Sequence, residues 1–213
     1  MITLEHVYAA VKLPDFDAAA AQLRMAPGRP RIGKSENTRQ AGVLVLLYPE
    51  DDGLYVVLTR RTESLRGHSG QISFPGGRRD PSDESFTATA LRETCEELGV
   101  CDGITVVGAL SPIYIPPSDF EVFPTVAYLP HRPLFRPNSD EVAEVLALSL
   151  AALLDERNKH VEERTFQGMR IPVPYYRLGE HKIWGATATM LSELEHRLRA
   201  VLPQETLNSL NIP

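Results

Sequence analysis

Arg92-Glu93-Thr94-Cys95-Glu96-Glu97-Leu98-Gly99 is the stretch around which the rest of the chain can be read. Each residue of an α-helix advances by about 100°, so with Glu93 at 0° Glu97 falls near +40° and Glu96 near −60°. Three carboxylates then share an arc of about 100°, while Leu91, Cys95 and Leu98 take the opposite side, at about 140° to 200°. The spacing predicts an amphipathic helix with one packable face and one face that concentrates negative charge. Like charges four residues apart repel by a few tenths of a kcal/mol even when exposed. Hard oxygen donors so placed suit Mg²⁺ or Mn²⁺, which would remove that cost. Alone, such a face on a helix is more often simply solvated; its setting gives it meaning. Asp83 is the predicted N-cap, Glu84 lies in the first turn, and Gly99 stands just past the end. The turn Pro75-Gly76-Gly77 precedes the helix by a short, fixed interval.

Outward from that helix, residues 41–48 and 54–59 are apolar runs about a turn signal at 49–53, which predicts a hairpin. Residues 71–74 read as a short strand running into the glycines. Strands are expected at 104–110, 122–128 and 142–148, a short helix at 149–154, and a second hairpin from 162–166 and 171–177 about Gly168. A closing amphipathic helix is expected at 186–202. Residues 4–11 and 16–23 have helical spacing, and Pro27 and Pro30 end that pattern. The reading is an α/β fold, a mixed sheet with helices on its faces. An N-terminal helical arm at 1–40 precedes a domain at 41–213. The arm is free to pack on its own domain or on a partner subunit, so a homodimer is open.

A chain of 213 residues suits one domain with modest extensions. Its net charge of −6 argues against general nucleic-acid binding, since phosphate attraction supplies most of that affinity. An anionic substrate then requires a local basic patch or a bound cation. The two cysteines, Cys95 and Cys101, are too few for a disulfide framework and fit a reducing compartment. Neither a secretory signal nor an apolar stretch near the roughly 20 residues of a membrane span is visible. The expectation is a cytoplasmic protein with no membrane or nucleic-acid partner. No P-loop, zinc spacing or Ser-His-Asp order appears.

The stretch 77–100 resembles the Nudix signature, G-x5-E-x7-R-E-U-x-E-E-x-G-U with U aliphatic. Arg92, Glu93, Glu96, Glu97, Gly99 and Val100 match in place, and Glu84 stands at the x7 spacing before Arg92. Six residues separate Gly77 from Glu84 instead of five, with Asp83 at the original distance, and Thr94 replaces an aliphatic residue. Residues 58–77, from Leu58-Thr59-Arg60-Arg61 to Phe74-Pro75-Gly76-Gly77, look like the motif that precedes the box in the coenzyme A diphosphatase subgroup. Thr89-Ala90-Leu91-Arg92-Glu93, Asp140-Glu141-Val142 and Ile183-Trp184-Gly185-Ala186-Thr187 are similar to that subgroup too.

The resemblance implies a Nudix α/β/α sandwich and metal-dependent hydrolysis of a diphosphate, with coenzyme A or an acyl-CoA as the small-molecule substrate. Glu93, Glu96 and Glu97 would hold Mg²⁺ or Mn²⁺, and Arg92 would orient Glu93. Gly76 and Gly77 would let the backbone approach the phosphates. Arg60, Arg61, Arg66 and His68 would form a phosphate-binding run, against the plainer reading of a solvated loop. Glu141 would be a further ligand or the general base, with Glu121, Glu144 and Glu162 as alternatives for that part. Trp184 reads as packing, and Cys95 as a small apolar filler on the buried face. The rival substrates are ADP-ribose, NADH or a dinucleoside polyphosphate. A non-catalytic nucleotide-binding module is a third reading, which the intact carboxylates oppose.

Overall fold

A computed structural model describes residues 1–27, 33–63, 70–166 and 168–210. The arm folds into α1 (Leu4–Val11) and α2 (Ala18–Leu23). Thr3 and His6 close a capping box on α1, and Asp17 caps α2 by accepting from the Ala20 amide at 2.9 Å. The second helix therefore starts two residues later than the expected 16.

The first hairpin forms as read, from β1 (Arg39–Glu50) and β2 (Gly53–Arg61) in the register Leu47↔Val56. β3 (Ile72–Ser73) and β4 (Gly76–Arg78) follow, then α3 (Phe86–Leu98) and β5 (Thr105–Ala109). The chain continues through β6 (Ile113–Ile115), β7 (Phe120–Tyr128), β8 (Val142–Ser149) and α4 (Leu150–Leu154). β9 (Lys159–Phe166) and β10 (Met169–Leu178) make the second hairpin, and β11 (His181–Trp184) leads into α5 (Gly185–Val201) and α6 (Gln204–Ser209). β4, β6, β11 and α6 were not expected from the pattern, being only three, three, four and six residues long, and β4 takes the place of the turn read at Gly76-Gly77.

The main sheet runs β3-β2-β1-β7-β5, with β8 also on β2, β4 on β1 and β6 on β7. β1 and β7 pair in parallel and the other neighbours antiparallel, so the sheet is mixed, as expected. Alternation along β1 sends Leu44, Leu46 and Tyr48 to the α3 side and Val45 and Leu47 to the α5 side. Two apolar cores result, one per face: an α/β/α sandwich. The arm belongs to the second core, where Ile2, Val7, Ala10 and Met25 are buried with α5 residues. It docks on its own chain: Ser192 Oγ donates to Ala21 O at 2.7 Å and Arg197 Nη1 to Ala10 O at 3.3 Å. No helix among the described residues is long and apolar enough to cross a membrane.

Three local expectations are corrected. The N-cap of α3 is Ser85, whose Oγ accepts from the Ala88 amide at 3.1 Å; Asp83 and Glu84 precede the helix. The buried arc of α3 is Thr89, Ala90, Thr94, Glu97 and Leu98, running from about −40° to about 140° and centred near 50° on the wheel, not between 140° and 200°. Small residues decide this rotation, because α3 lies so close on β1 that a Cβ at Gly42 would stand 2.3 Å from Phe86 O. Cys95 is consequently only half-buried. It is no apolar filler but is joined to Cys101 by a disulfide, with Cα atoms 4.5 Å apart.

Candidate active site

β1 carries two partners in succession, β2 along Leu47–Glu50 and β4 along Ala41–Val43, so the hairpin splays at its open end. At that end the glycines read as a turn form the start of β4, whose backbone at Gly76 and Gly77 comes against the carboxylate face of α3. A Cβ on Gly77 would lie 2.4 Å from Glu93 Oε2, and one on Gly76 would lie 2.4 Å from Gly42 O with φ at +147°. Gly76 is required for backbone packing, and Gly77 leaves room for the Glu93 carboxylate.

Glu97 is only 4% exposed. Its carboxylate accepts from the Gly76 amide at 3.2 Å and lies 3.9 Å from Arg61 Nη1. Burial pushes its pKa up to about 7; the Gly76 amide and Arg61 oppose the rise, and Glu93 and Glu141 add to it. The Glu93 carboxyl is also raised, chiefly by burial, against Arg92, with Glu96 and Glu141 adding repulsion. Glu96 differs: its side chain is 58% exposed and, among the described residues, meets only the Arg92 guanidinium, at 3.1 Å. Thr94, the departure from the aliphatic position, is buried and satisfies its hydroxyl on Ala90 O at 2.7 Å.

Arg92 organises this face. Its Nη1 contacts Glu93 Oε1 at 2.9 Å, while Nε and Nη2 make a bidentate pair with Asp83 at 3.0 Å each. Asp83 also accepts from Thr89 Oγ1 at 2.8 Å and the Asp80 amide at 2.9 Å, and Arg92 holds its carboxyl well below the usual range. Glu84 is exposed beside it. Of the two acids at that interval, Asp83 is the one that pairs with Arg92. The signal was present in its original spacing from Gly77.

Glu141, just before β8, repels both Glu93 and Glu97, and its carbonyl accepts from the Thr62 amide at 2.9 Å. Arg60 is not brought to this cluster. Alternation on β2 turns it to the α5 side, where it donates to Glu144 at 3.0 Å, while Arg61 faces Glu97. Arg66 and His68 lie outside the described residues. Trp184 is half-buried with the Arg164 guanidinium 4.1 Å over its ring, a packing role as expected.

Among the described residues no three His, Cys, Asp or Glu side chains stand ready-made at coordinating separation. The donor chemistry nevertheless fits a hard divalent cation. Glu93, Glu97 and Glu141 form an acidic cluster in which two members are raised by burial, and a cation between them would relieve both desolvation and repulsion.

Residues 38–167, more than half of the chain, match the NUDIX domain family. The chain belongs to the Nudix family. It is 34% identical over 192 residues to the uncharacterized Nudix hydrolase NudL of Photorhabdus laumondii, covering 89% of this chain and 99% of that protein. It is 39% identical over 187 residues to the human mitochondrial coenzyme A diphosphatase NUDT8, covering 84% of this chain and 78% of that protein. Among solved structures, a MutT/nudix family protein from Enterococcus faecalis superposes with a TM-score of 0.53 at 16% identity, over 94% of this chain and 76% of that one. That likeness shows the fold. The protein is thus a Nudix hydrolase in which the carboxylate face, the glycines of β4 and the Asp83–Arg92 brace are assembled.

Proposed function

We propose that this Nudix hydrolase cleaves the diphosphate of coenzyme A or an acyl-CoA, releasing 3′,5′-ADP and 4′-phosphopantetheine or its acylated form. The observation that carries the diphosphate chemistry is the buried Glu97 carboxyl, raised to about 7 beside Glu93 and Glu141 under the side-chain-free glycines of β4. The substrate assignment is supported by the 39% identity to a coenzyme A diphosphatase and by the stretch 58–77.

Glu93 and Glu97 would hold Mg²⁺ or Mn²⁺, with Glu96 as an outlying third carboxylate. The cation supplies charge neutralisation at the diphosphate and a lowered pKa for an attacking water. The chain's own groups do the rest. Gly76 and Gly77 leave space for the diphosphate against backbone. Arg61, already facing the carboxylates, meets its negative charge. Arg92 holds Glu93 in place and is itself fixed by Asp83. Glu141, half-buried just before β8, accepts the proton that the attacking water loses.

The test is a substrate panel with Mg²⁺ or Mn²⁺: coenzyme A, acetyl-CoA, ADP-ribose, NADH and diadenosine polyphosphates, with products separated chromatographically. Release of 3′,5′-ADP from coenzyme A well above turnover of the others is the expected result. Preferred turnover of ADP-ribose or a dinucleotide would retain metal-dependent diphosphate hydrolysis and remove the coenzyme A assignment.

A further inference from the structure

Two stretches that resemble the coenzyme A diphosphatase subgroup, 58–77 and Asp140-Glu141-Val142, are far apart in sequence and meet at one point in the fold. A pair of side chains outside the carboxylate cluster joins them. Thr62 follows the end of β2, and Asn138 stands in the segment between β7 and β8. Between them they satisfy every main-chain polar group of the Asp140–Glu141 dipeptide. Asn138 Oδ1 accepts from the Asp140 amide at 3.2 Å, and Thr62 Oγ1 donates to Asp140 O at 3.0 Å. Asn138 O accepts from the Glu141 amide at 3.0 Å, and the Thr62 amide donates to Glu141 O at 2.9 Å.

The register of β2 on β8 brings this about. Arg60 pairs with Glu144 and Arg61 with Val142, so Ala143 is an extra residue with no partner opposite it, a β-bulge. Without that residue Thr62 would lie against Val142; with it the ladder slides by one position and sets Thr62 against Glu141. Asn138 ties the same dipeptide to α3, because its amide donates to Glu97 O at 2.8 Å while its carbonyl takes the Glu141 amide. The main chains of Glu97 and Glu141 are thus joined through a single residue.

Asp140 is exposed, and Thr62 and Asn138 are half-buried. Water could replace the side-chain bonds at little loss of stability, since a hydrogen bond exchanged with solvent contributes little net. Water does not hold position, however, and misplacing a reacting group by about 1 Å can slow a reaction about 100-fold. Four bonds, from the end of β2 on one side and the α3 terminus on the other, fix where the dipeptide stands. The clamp therefore serves geometry.

Resting on Glu141 as the proton acceptor of the proposed reaction, we infer that Thr62 and Asn138 are positioning residues, whose side chains hold the Asp140–Glu141 peptide and so keep the Glu141 carboxyl in a fixed place relative to Glu97.

The experiment compares Thr62→Val, which deletes the hydroxyl at nearly constant shape, Thr62→Ser, which retains it, and Asn138→Ala. kcat and KM are measured with Mg²⁺ and coenzyme A, or with ADP-ribose if that is the compound consumed, in wild-type and Glu141→Gln backgrounds. Hydrogen exchange of the amides of residues 138–142 is followed in the metal-free proteins. Glu141→Gln alone should lower kcat by about 100-fold or more. Thr62→Val and Asn138→Ala should each lower it roughly tenfold at unchanged KM, with Thr62→Ser within about twofold of wild type. In the Glu141→Gln background the same substitutions should have no further effect, because the group they position has gone. Exchange at 138–142 should quicken in Thr62→Val and Asn138→Ala but not in Thr62→Ser. Wild-type kcat in both Thr62→Val and Asn138→Ala, a loss undiminished in the Glu141→Gln background, or unaltered exchange overturns the positioning role and leaves Glu141 as the base. Near wild-type kcat in Glu141→Gln removes Glu141 from the chemistry and the inference with it, while metal-dependent turnover of coenzyme A stands.

Discussion

At the scale of single residues, Glu97 and Asp83 show two opposite uses of a carboxylate. The folded Glu97 carboxyl has its pKa raised from 4.5 to about 7, so the folded chain holds that proton more tightly than the unfolded chain. Its contribution is therefore fully favourable below about pH 4.5 and is lost as pH rises to about 7. At about 1.36 kcal/mol per pKa unit the loss is on the order of 3 kcal/mol. Denaturant titrations of metal-free protein should show stability falling across that window. Glu97→Gln should remove this fall while cutting kcat by about 100-fold or more. Parallel pH profiles for wild type and variant would refute the account. Asp83 is lowered, so its contribution is present at neutral pH and is lost in acid. Asp83→Asn should slow turnover by about tenfold through a loosened Arg92, whereas Glu84→Gln should leave it near wild type. The reverse order in steady-state rates would return the first acidic position to Glu84.

At the scale of elements, the two glycines are required for different reasons, which substitution separates. Alanine at 76 meets backbone at 2.4 Å (Gly42 O) and 2.6 Å (Val43 Cα), neither of which can yield. Gly76→Ala should lower stability by about 3 kcal/mol or more. Alanine at 77 meets the end of the Glu93 side chain, which can turn away. Gly77→Ala should fold with a nearly unchanged thermal midpoint and lose activity; equal destabilisation by both would refute the distinction. The last turn of α3 is held twice, by the Cys95–Cys101 disulfide and by the amides of Arg136 and Asn138 on Leu98 O and Glu97 O at 2.8 Å. Closing so short a loop is worth about 2 kcal/mol. Thermal unfolding with and without reductant should differ by that amount, and Cys95→Ser/Cys101→Ser should be indifferent to reductant.

For the whole molecule, the arm completes the core on the α5 face. Arg197, with its Nε on Glu193 Oε1 at 2.9 Å, is covered by α1 and by the Phe16 ring at 4.5 Å. Gln22 and Ser111 supply further donors to the fully buried Glu193. Removing residues 1–27 bares this buried ion pair and the apolar residues around it. Its unfolding midpoint should fall by on the order of 10 °C, with relative rates on the substrate panel unchanged. An unchanged midpoint would mean that the arm contributes nothing to the core.

The chain order and the helix with its carboxylates were legible in the sequence, because periodicity and motif spacing are properties of neighbouring residues, whereas the expected glycine turn became β4 through pairing with the distant β1. The first hairpin and the extent of α1 followed from the same signals. Tertiary structure decided which carboxylate is buried, because the wheel places Glu93, Glu96 and Glu97 on one arc and only the close approach of α3 to Gly42 rotates Glu97 inward. It decided between Asp83 and Glu84 through the reach of Arg92. It sent Arg60 and Arg61 to opposite faces of the sheet. Those outcomes depend on contacts between segments distant in sequence, for which local spacing carries no signal.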